Sequence, residues 1–456
     1  MKLSSSPLFI LFLSLVSFIS CSKDESPNPV AAEPEKEIEL LEFYTITSPS
    51  DLSSDVGLLP IPELQWSLFN GKSDEIVKYD IRLGTSESNL ETIATDHTEK
   101  LIPIEFLLEP ETTYYWQVVL ENRDGQDTFS PIYQFTTGLI AIKDPVIDQI
   151  TRELLEKSEG DYTRAELESI LRFPTNDESI KYYDAMDPYE SPETLSGLEY
   201  FTNLEFLNLY GRGFRVPLTD ITALAKLKKI KYLNLANNQI REVESLAGLT
   251  ELTYLHLGWN TGIHDISPLV NLKNLKTLDL TYTYGLKDLT PLASLPQLDS
   301  LLMTTARYVE NASVIGTLTN LKKLRFTSND NIADFSFLEN LTEMRDLTLY
   351  SNDSIDDISF LAEMPKLTRL NIAKNKVTDI SILEGLTELE YLDLSNLKIK
   401  DFSALTNLTK LKEVWFMDDH IDESYISVQE LKEALPNTSF RVNNKSYAKE
   451  TVNPWH

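Results

Sequence analysis

Large aliphatic residues recur through the second half of the chain in about ten similar units. Each unit has the form L-x-x-L-x-L-x-x-N, as in Leu252–Asn260 and Leu367–Asn375. The first two units are 26 residues apart, and all later ones are 22 or 23 residues apart. The first positions of the units are Leu204, Ile230, Leu252, Leu275, Leu298, Leu321, Met344, Leu367, Leu389 and Leu411.

Within one unit the hydrophobic period changes from two to three. Leu370 and Ile372 alternate with Arg369 and Asn371, which predicts a short strand with one buried face. The segment Val377–Leu386 then has an aliphatic residue at every third position, which predicts a return through a 3₁₀ turn or a short helix. A single unit cannot bury its aliphatic side, so the units must stack into a solenoid.

This pattern is identified as a leucine-rich repeat. The 22-residue spacing and the segment Asn375–Leu383, of the form Asn-x-Val-x-Asp-Ile-Ser-x-Leu, resemble the internalin type of bacterial repeat over roughly residues 197–444. The resemblance implies an α/β solenoid of short parallel strands whose strand side is concave. Two units depart from the pattern, through a longer loop at Tyr210–Leu218 and through Thr304–Glu310, which lacks the Asn. Either departure is a local bulge or a ligand-facing irregularity.

Both ends of the repeats at 201–416 need a cap, because an end unit would otherwise expose its apolar side. Residues 141–200 predict two helices, one opening at Asp144-Pro145 and one after the capping box Thr163–Glu166. They resemble the helical N-terminal cap of internalin-like solenoids. Residues 417–456 predict a C-terminal cap with a short helix and a last strand at Ser439–Val442.

Residues 41–138 have an all-β pattern. Alternating segments such as Leu64–Leu68 and Tyr79–Leu83 predict strands, with Trp66 and Trp116 in the core. The segment Leu108–Tyr114 resembles the tyrosine corner of fibronectin type III domains. We therefore expect a multidomain chain in which an immunoglobulin-like sandwich precedes the solenoid as a spacer. The alternative is a sandwich with a binding role of its own.

The N-terminus predicts export and lipid attachment. Residues 1–20 combine an early Lys2 with a short apolar run, and Cys21 follows directly. This resembles a bacterial lipoprotein signal, which implies that Cys21 is lipidated; the alternative is a buried structural cysteine. Residues 21–40 predict a flexible tether. The charged segment Ser22–Glu25 resembles the surface-export signal of Bacteroidota lipoproteins, so we expect an outer-membrane lipoprotein exposed at the cell surface.

Charge and composition narrow the possible chemistry. A net charge of −30 disfavours nucleic acid and anionic headgroups, since both need basic contact surfaces. Membrane contact is therefore expected only through the lipid at Cys21. The five histidines lack metal-ligand spacing, and no phosphate-binding glycine motif occurs. Asp353–Asp357 and Asn329–Asn331 are either calcium loops or, as we expect, hydrated loops. We predict no catalysis, no cofactor and no metal.

Strand residues that alternate with the inward leucines form the candidate binding surface. The large or basic side chains near these positions are Phe206, Tyr210, Tyr232, Tyr254, His256, Trp259, Tyr282, Lys323, Arg325, Tyr350, Arg369, Tyr391 and Trp415. Phe206, Tyr232 and Tyr254 should stack as a ladder, and Lys323, Arg325 and Arg369 form a small basic island. Tyrosine, tryptophan and arginine anchor protein interfaces. The alternative is self-packing, in which the ladder only stabilises neighbouring strands.

These observations predict a lipid-anchored binding protein that holds a protein partner on the concave face of its solenoid. Aromatic residues also suit sugar rings, so a glycan-binding protein in nutrient capture remains an alternative. A structural component of the envelope is another.

Overall fold

The computed structural model describes residues 43–49, 53–56, 62–68, 78–104, 106, 108–121, 127–173, 192–211, 217–417 and 426–442. The predicted signal at 1–20, the lipidation of Cys21 and the tether at 21–40 lie outside these residues.

The first part of the described chain consists of nine strands in two sheets. They are β1 (Phe43–Ser48), β2 (Ser53–Val56), β3 (Glu63–Leu68), β4 (Lys78–Ser86), β5 (Asn89–His97), β6 (Leu101–Pro103), β7 (Thr113–Glu121), β8 (Asp127–Phe129) and β9 (Tyr133–Thr137). One sheet has the order β1-β3-β6 and the other β2-β9-β7-β4-β5, with β8 beside β7. All pairs are antiparallel except β2 with β9, which is parallel.

Alternate residues of these strands are buried. Trp66 and Trp116 both lie in the core with their ring centroids 6.5 Å apart, as the alternation predicts. The Tyr114 hydroxyl accepts a hydrogen bond of 2.8 Å from the Glu109 amide, which is the contact that Leu108–Tyr114 predicts.

Two short helices follow, and each begins at a side-chain cap. Asp144 accepts hydrogen bonds from the amides of Val146 and Ile147 at the start of α1 (Pro145–Leu155). Thr163 and Glu166 cap each other's backbone at α2 (Arg164–Glu168), so the predicted capping box is confirmed. A third helix, α3 (Ile426–Ala434), lies near the other end of the described chain.

The repeats form one parallel sheet of twelve strands arranged in chain order. The strands are β10 (Arg172–Phe173), β11 (Phe206–Asn208), β12 (Tyr232–Asn234), β13 (Tyr254–His256), β14 (Thr277–Asp279), β15 (Ser300–Thr304), β16 (Lys323–Thr327), β17 (Asp346–Thr348), β18 (Arg369–Asn371), β19 (Tyr391–Asp393), β20 (Glu413–Phe416) and β21 (Ser439–Val442). The predicted parallel strands are confirmed. The sheet also begins earlier than the repeat pattern, because β10 lies within the region that predicts a helical cap.

Each of the strands β10–β19 is followed by a 3₁₀ segment, as the period of three predicts. These segments are Leu198–Tyr200, Thr222–Lys226, Glu244–Leu246, Ser267–Asn271, Thr290–Ser294, Ala312–Thr317, Ser336–Asn340, Ser359–Glu363, Ser381–Gly385 and Ser403–Leu405. Between strand and return lies a file of buried aliphatics, of which Leu233, Leu278 and Leu370 are fully inaccessible to solvent. Burial of such side chains supplies most of the stability of each repeat.

Asparagines after the strands connect neighbouring repeats. Asn260 Nδ2 donates to the carbonyl oxygens of Leu235 and Leu257, both at 2.9 Å, while its Oδ1 accepts from the amide of Ile240. Asn238, Asn352 and Asn375 make equivalent bonds. The units that begin at Leu275, Leu298 and Leu389 have Thr283, Ala306 and Leu397 at this place. Asn329 Oδ1 still accepts a hydrogen bond from the Ala306 amide, but Asn329 Nδ2 has no acceptor among the described residues.

The buried residues of the N-terminal sheets, the helices and the repeats form one continuous cluster from Leu64 to Val442. Ile140 pairs with Tyr162 across a β-bridge, and both side chains are fully buried. Arg164 of α2 also forms an ion pair with Glu109. The N-terminal sheets therefore share buried surface with the start of the solenoid.

Candidate functional site

The outward positions of the parallel sheet form a surface that we call the strand face. Because the strands pair in register, equivalent residues of successive repeats lie side by side in columns. The first column is Arg172, Phe206, Tyr232, Tyr254, Thr277, Ser300, Lys323, Asp346, Arg369, Tyr391, Glu413 and Ser439. The second column is Asn208, Asn234, His256, Asp279, Leu302, Arg325, Thr348, Asn371, Asp393, Trp415 and Arg441.

The first column begins with a stack of planar groups. The ring centroids of Phe206 and Tyr232 are 4.4 Å apart, and those of Tyr232 and Tyr254 are 4.3 Å apart with an interplanar angle of 6°. The Arg172 guanidinium lies over Phe206 at 4.2 Å. Strands in a sheet are spaced by about 4.8 Å, so parallel rings on adjacent strands meet face to face. Both faces of Tyr232 are therefore covered, and a sugar ring has no room to stack on it.

The far half of the first column is held by charge. Asp346 lies between Lys323, at 4.0 Å, and Arg369, at 3.6 Å. The Arg369 guanidinium also lies 4.6 Å from the Tyr391 ring centroid. Glu413 pairs with Arg441 at 2.8 Å. Neighbouring side chains thus contact one another in two parts of the column, from Arg172 to Tyr254 and from Lys323 to Tyr391.

The second column contains buried titratable groups. His256 is only 3% exposed; its Nδ1 accepts a hydrogen bond from the Gly258 amide and lies 3.6 Å from Asp279 Oδ2. Burial lowers the pKa of His256, against a smaller opposing effect of the Asp279 charge. Burial likewise raises the pKa of Asp393, although the Ser395 amide and Asn371 Nδ2 donate hydrogen bonds to its carboxylate.

A third column runs along the turn that follows each strand, and we call it the edge column. Its members have left-handed backbones with φ between 54° and 60°: Asn237, Trp259, Tyr282, Thr305, Ser328, Ser351, Lys374 and Asn396. The amides of most of them donate to a carbonyl of the next repeat, for example Trp259 to Thr281 and Tyr282 to Thr304. The repeat geometry therefore imposes this conformation whatever the residue.

Trp259 and Tyr282, together with the β-branched Thr305, are the members of the edge column for which a left-handed backbone costs most. Asparagine adopts the left-handed region with little strain, whereas bulky side chains rarely do so. Their rings lie 5.5 Å apart, Tyr284 lies 5.9 Å beyond Tyr282, and His256 lies 6.0 Å from Trp259. We call Trp259, Tyr282 and Tyr284 the aromatic corner. Tyr284 is 37% exposed, so the corner is open to a partner.

The other predicted residues are spread along the strand face. Tyr210 follows β11, and its amide donates to Asn208 Oδ1. Tyr350 follows β17 with Lys374 Nζ at 5.0 Å from its ring centroid. Arg325 lies in the second column between Leu302 and Thr348. Trp415 lies near the end of that column, where its buried Nε1 has no acceptor among the described residues.

Sequence reasoning missed one contributor, Arg172. It caps the aromatic stack, but its strand has only two residues and gives no detectable alternation. Tyr284 lies beyond the repeat positions that the alternation marks, and its closeness to Tyr282 along the chain is the signal that indicates it. Within the described ranges, no group of three or more histidine, cysteine or acidic residues is placed to hold a metal ion. No helix there is long and apolar enough to cross a membrane.

A family model and one solved structure agree with this architecture. The family model described as leucine-rich repeat region matches residues 190–442. An internalin, InlF from Listeria monocytogenes, has a solved structure that is 32% identical, with a TM-score of 0.55, over 66% of this chain and 82% of that one. The functional domain of InlJ from the same organism is 20% identical, with a TM-score of 0.47, over 68% of this chain and 61% of that one. No curated protein matches.

Proposed function

Because the chain belongs to the leucine-rich-repeat family, we propose that it is a binding protein that holds a protein partner on its strand face, the concave side of the solenoid. Repeats of this kind commonly serve protein interaction, and a stacked sheet offers a long continuous surface for it. The likeness to an internalin supports an adhesion or interaction role. The proposal assigns no catalytic step to the strand face, whose charged groups are spread along columns.

The aromatic corner is the observation that carries this proposal. Ring stacking along the first column follows from strand spacing and stabilises the sheet without any ligand. Trp259 and Tyr282 differ, because their left-handed backbones cost free energy that Asn237 and Asn396 avoid at equivalent positions. Strained residues of this kind concentrate at functional sites. A partly exposed cluster of tryptophan and tyrosine is also what protein partners use as an anchor.

The proposal is tested with the double variant Trp259→Asn/Tyr282→Asn in the full chain. Relief of backbone strain and loss of a ring contact of about 0.5–1.5 kcal/mol offset each other, so its free energy of unfolding should stay within about 1 kcal/mol of wild type. A partner is first captured from a surface-protein extract, identified and purified. Its Kd should then weaken at least about tenfold with the variant, a loss of about 1.4 kcal/mol.

The matched control is Ser328→Asn/Ser351→Asn, which makes the same kind of change in the same column without removing an aromatic ring. The control should bind the partner as wild type does. Equal binding by both double variants would contradict the proposed site. A glycan array tests the alternative of sugar capture, which the covered faces of Tyr232 disfavour.

We further propose that the N-terminal region attaches and spaces the solenoid. Cys21 is the only cysteine of the chain and follows an apolar run, which supports lipidation and an outer-membrane, surface-exposed location. Two sheets of mainly antiparallel strands, with Trp66 and Trp116 in the core and a hydrogen bond from the Glu109 amide to the Tyr114 hydroxyl, support a fibronectin type III-like spacer. Cys21→Ala should move the protein from the membrane to the soluble fraction; unchanged membrane association would refute the anchor.

A further inference from the structure

The middle of the strand face is positively charged, although the chain as a whole is strongly negative. The residues that directly precede the strands form a further column, which the backbone bonds place in register: Glu205, Lys231, Thr253, Lys276, Asp299, Lys322, Arg345, Thr368, Glu390 and Lys412. Across β14–β18, this column and the two outward columns contain six basic residues and three carboxylates. The chain as a whole has a net charge of −30. We call the six basic residues the basic strip: Lys276, Lys322, Lys323, Arg325, Arg345 and Arg369.

The three carboxylates do not cancel this charge. Asp279 is 2% exposed, and its Oδ1 accepts a hydrogen bond of 2.8 Å from the Thr281 amide. Asp299 pairs with Lys322 at 3.3 Å. Asp346 is shared by Lys323 and Arg369 at 4.0 and 3.6 Å, which are distances of ion pairs without short hydrogen bonds. Within these three columns, two partly exposed carboxylates therefore accompany six basic residues. Glu343, just before β17, also lies near Lys322 and Arg345, but its own ion pair is with Lys366 outside the strip, at 2.5 Å. The strip keeps a net positive charge.

At each end, the basic strip gives way to a surface that is not positively charged. Toward β11–β13 the same three columns contain stacked rings, one acidic residue, Glu205, and one basic residue, Lys231. Toward β19–β20 they contain Glu390, Asp393 and Glu413 with a single lysine, Lys412. The positive surface thus has a defined length of five strands, or about 19 Å at about 4.8 Å per strand interval.

We propose that the basic strip recognises a short acidic segment of the protein partner, laid across β14–β18. This inference rests on the proposed function and names the chemistry that the partner brings to it. An extended segment of about six residues spans the same distance at about 3.3 Å per residue. Arg325 and Arg369 offer guanidinium groups, which bind carboxylates in paired hydrogen bonds. The aromatic corner adjoins the strip at β14, so an apolar side chain beside the acidic segment has a place to bind.

The limited length of the basic strip favours the binding of a short acidic segment over that of a long polyanion. Charges are screened beyond about 8 Å at physiological salt, so a ligand responds to the strip under it and not to the whole chain. A nucleic acid or an acidic polysaccharide that extended past β19 would meet Glu390, Asp393 and Glu413. An acidic peptide segment that ends within the strip avoids this repulsion.

The test is a selection of random short peptides displayed on phage, carried out on the purified full chain. Peptides enriched in Asp and Glu are expected, and their affinity should fall as the salt concentration rises. Against Lys323→Gln/Arg325→Gln the selected peptides should bind at least about tenfold more weakly. The control Lys410→Gln/Lys412→Gln changes the net charge equally at exposed lysines outside the strip, and it should bind them as wild type does.

Three results would overturn the inference: selected peptides without acidic enrichment, equal losses in the two charge variants, or binding of alginate and heparin with no binding of acidic peptides. The partner assay separates this inference from the proposed function. A partner whose binding is lost in Trp259→Asn/Tyr282→Asn but retained in Lys323→Gln/Arg325→Gln would leave the proposed function standing and refute the acidic segment.

Discussion

The two halves of the first column share one backbone and are held together differently. From Phe206 to Tyr254, aromatic rings stack at 4.3 to 4.4 Å, whereas from Lys323 to Glu413 the contacts are mainly ion pairs and cation–π contacts. In-register strands bring equivalent positions together, so whatever occupies them must interact. A ladder of contacts is therefore expected from the repeat itself. It indicates a ligand only where a residue departs from what the backbone favours, as Trp259 and Tyr282 do.

Substitutions of inward residues should destabilise both halves of the column to a similar extent. Leu233 and Leu370 are both fully buried beneath the strand face. Leu233→Ala and Leu370→Ala should each lower the free energy of unfolding by about 2–5 kcal/mol, because each removes buried methyl groups and leaves a cavity. Urea denaturation measures both. A large loss in one half with none in the other would show that the two halves do not share a common core.

The stability that the stacked rings contribute should not depend on the salt concentration. Tyr232→Ala removes two ring contacts of about 0.5–1.5 kcal/mol each, so the loss of stability should be about 1–3 kcal/mol. The loss should be the same at low and high salt, since ring stacking is not a charge interaction. A loss that shrinks as salt is added would contradict stacking as its source.

The stability of the folded chain should depend on pH through His256 of the second column. Its folded pKa is lowered by burial, so the unfolded chain takes up the proton first as the pH falls below the ordinary value near 6.5. The stability contributed by neutral His256 is complete above that pH and is lost as the pH falls toward the folded pKa. The difference in stability between wild type and His256→Asn should therefore shrink or reverse upon acidification. A constant difference would show that His256 titrates alike in both states.

The ion pairs of the first column should contribute least to the free energy of unfolding. Asp346→Asn removes the partner of Lys323 and Arg369, yet partly exposed pairs contribute at most about 1 kcal/mol. Its effect on stability should be below that value and should vanish at about 1 M salt, where the Debye length is about 3 Å. A loss that persists at high salt would mean that Asp346 stabilises the repeat by hydrogen bonds instead.

The sequence predicts the repeats well, because alternation decides which residues are buried. It predicts the stack of Phe206, Tyr232 and Tyr254 for the same reason, since a constant spacing places equivalent residues side by side. It does not predict that His256 is buried, because the burial of an outward residue depends on its neighbours in adjacent repeats. Nor does it reveal the strain at Trp259 and Tyr282. Their position holds Asn, Ser, Thr and Lys in other repeats, so residue type gives no sign of a left-handed backbone.

The replacement of asparagine at Thr305-Ala306 has a mechanical consequence. In a stack where each repeat contacts only its neighbours, a bond that is missing at one junction has to be replaced at that same junction. Asn329 Nδ2 gains no acceptor among the described residues. The same junction nevertheless has five paired residues between β15 and β16, and the Thr327 hydroxyl donates to Thr304 across it. A chain stretched from its two ends should therefore keep the aromatic corner and the repeats that carry Lys323 and Arg369 together as one block.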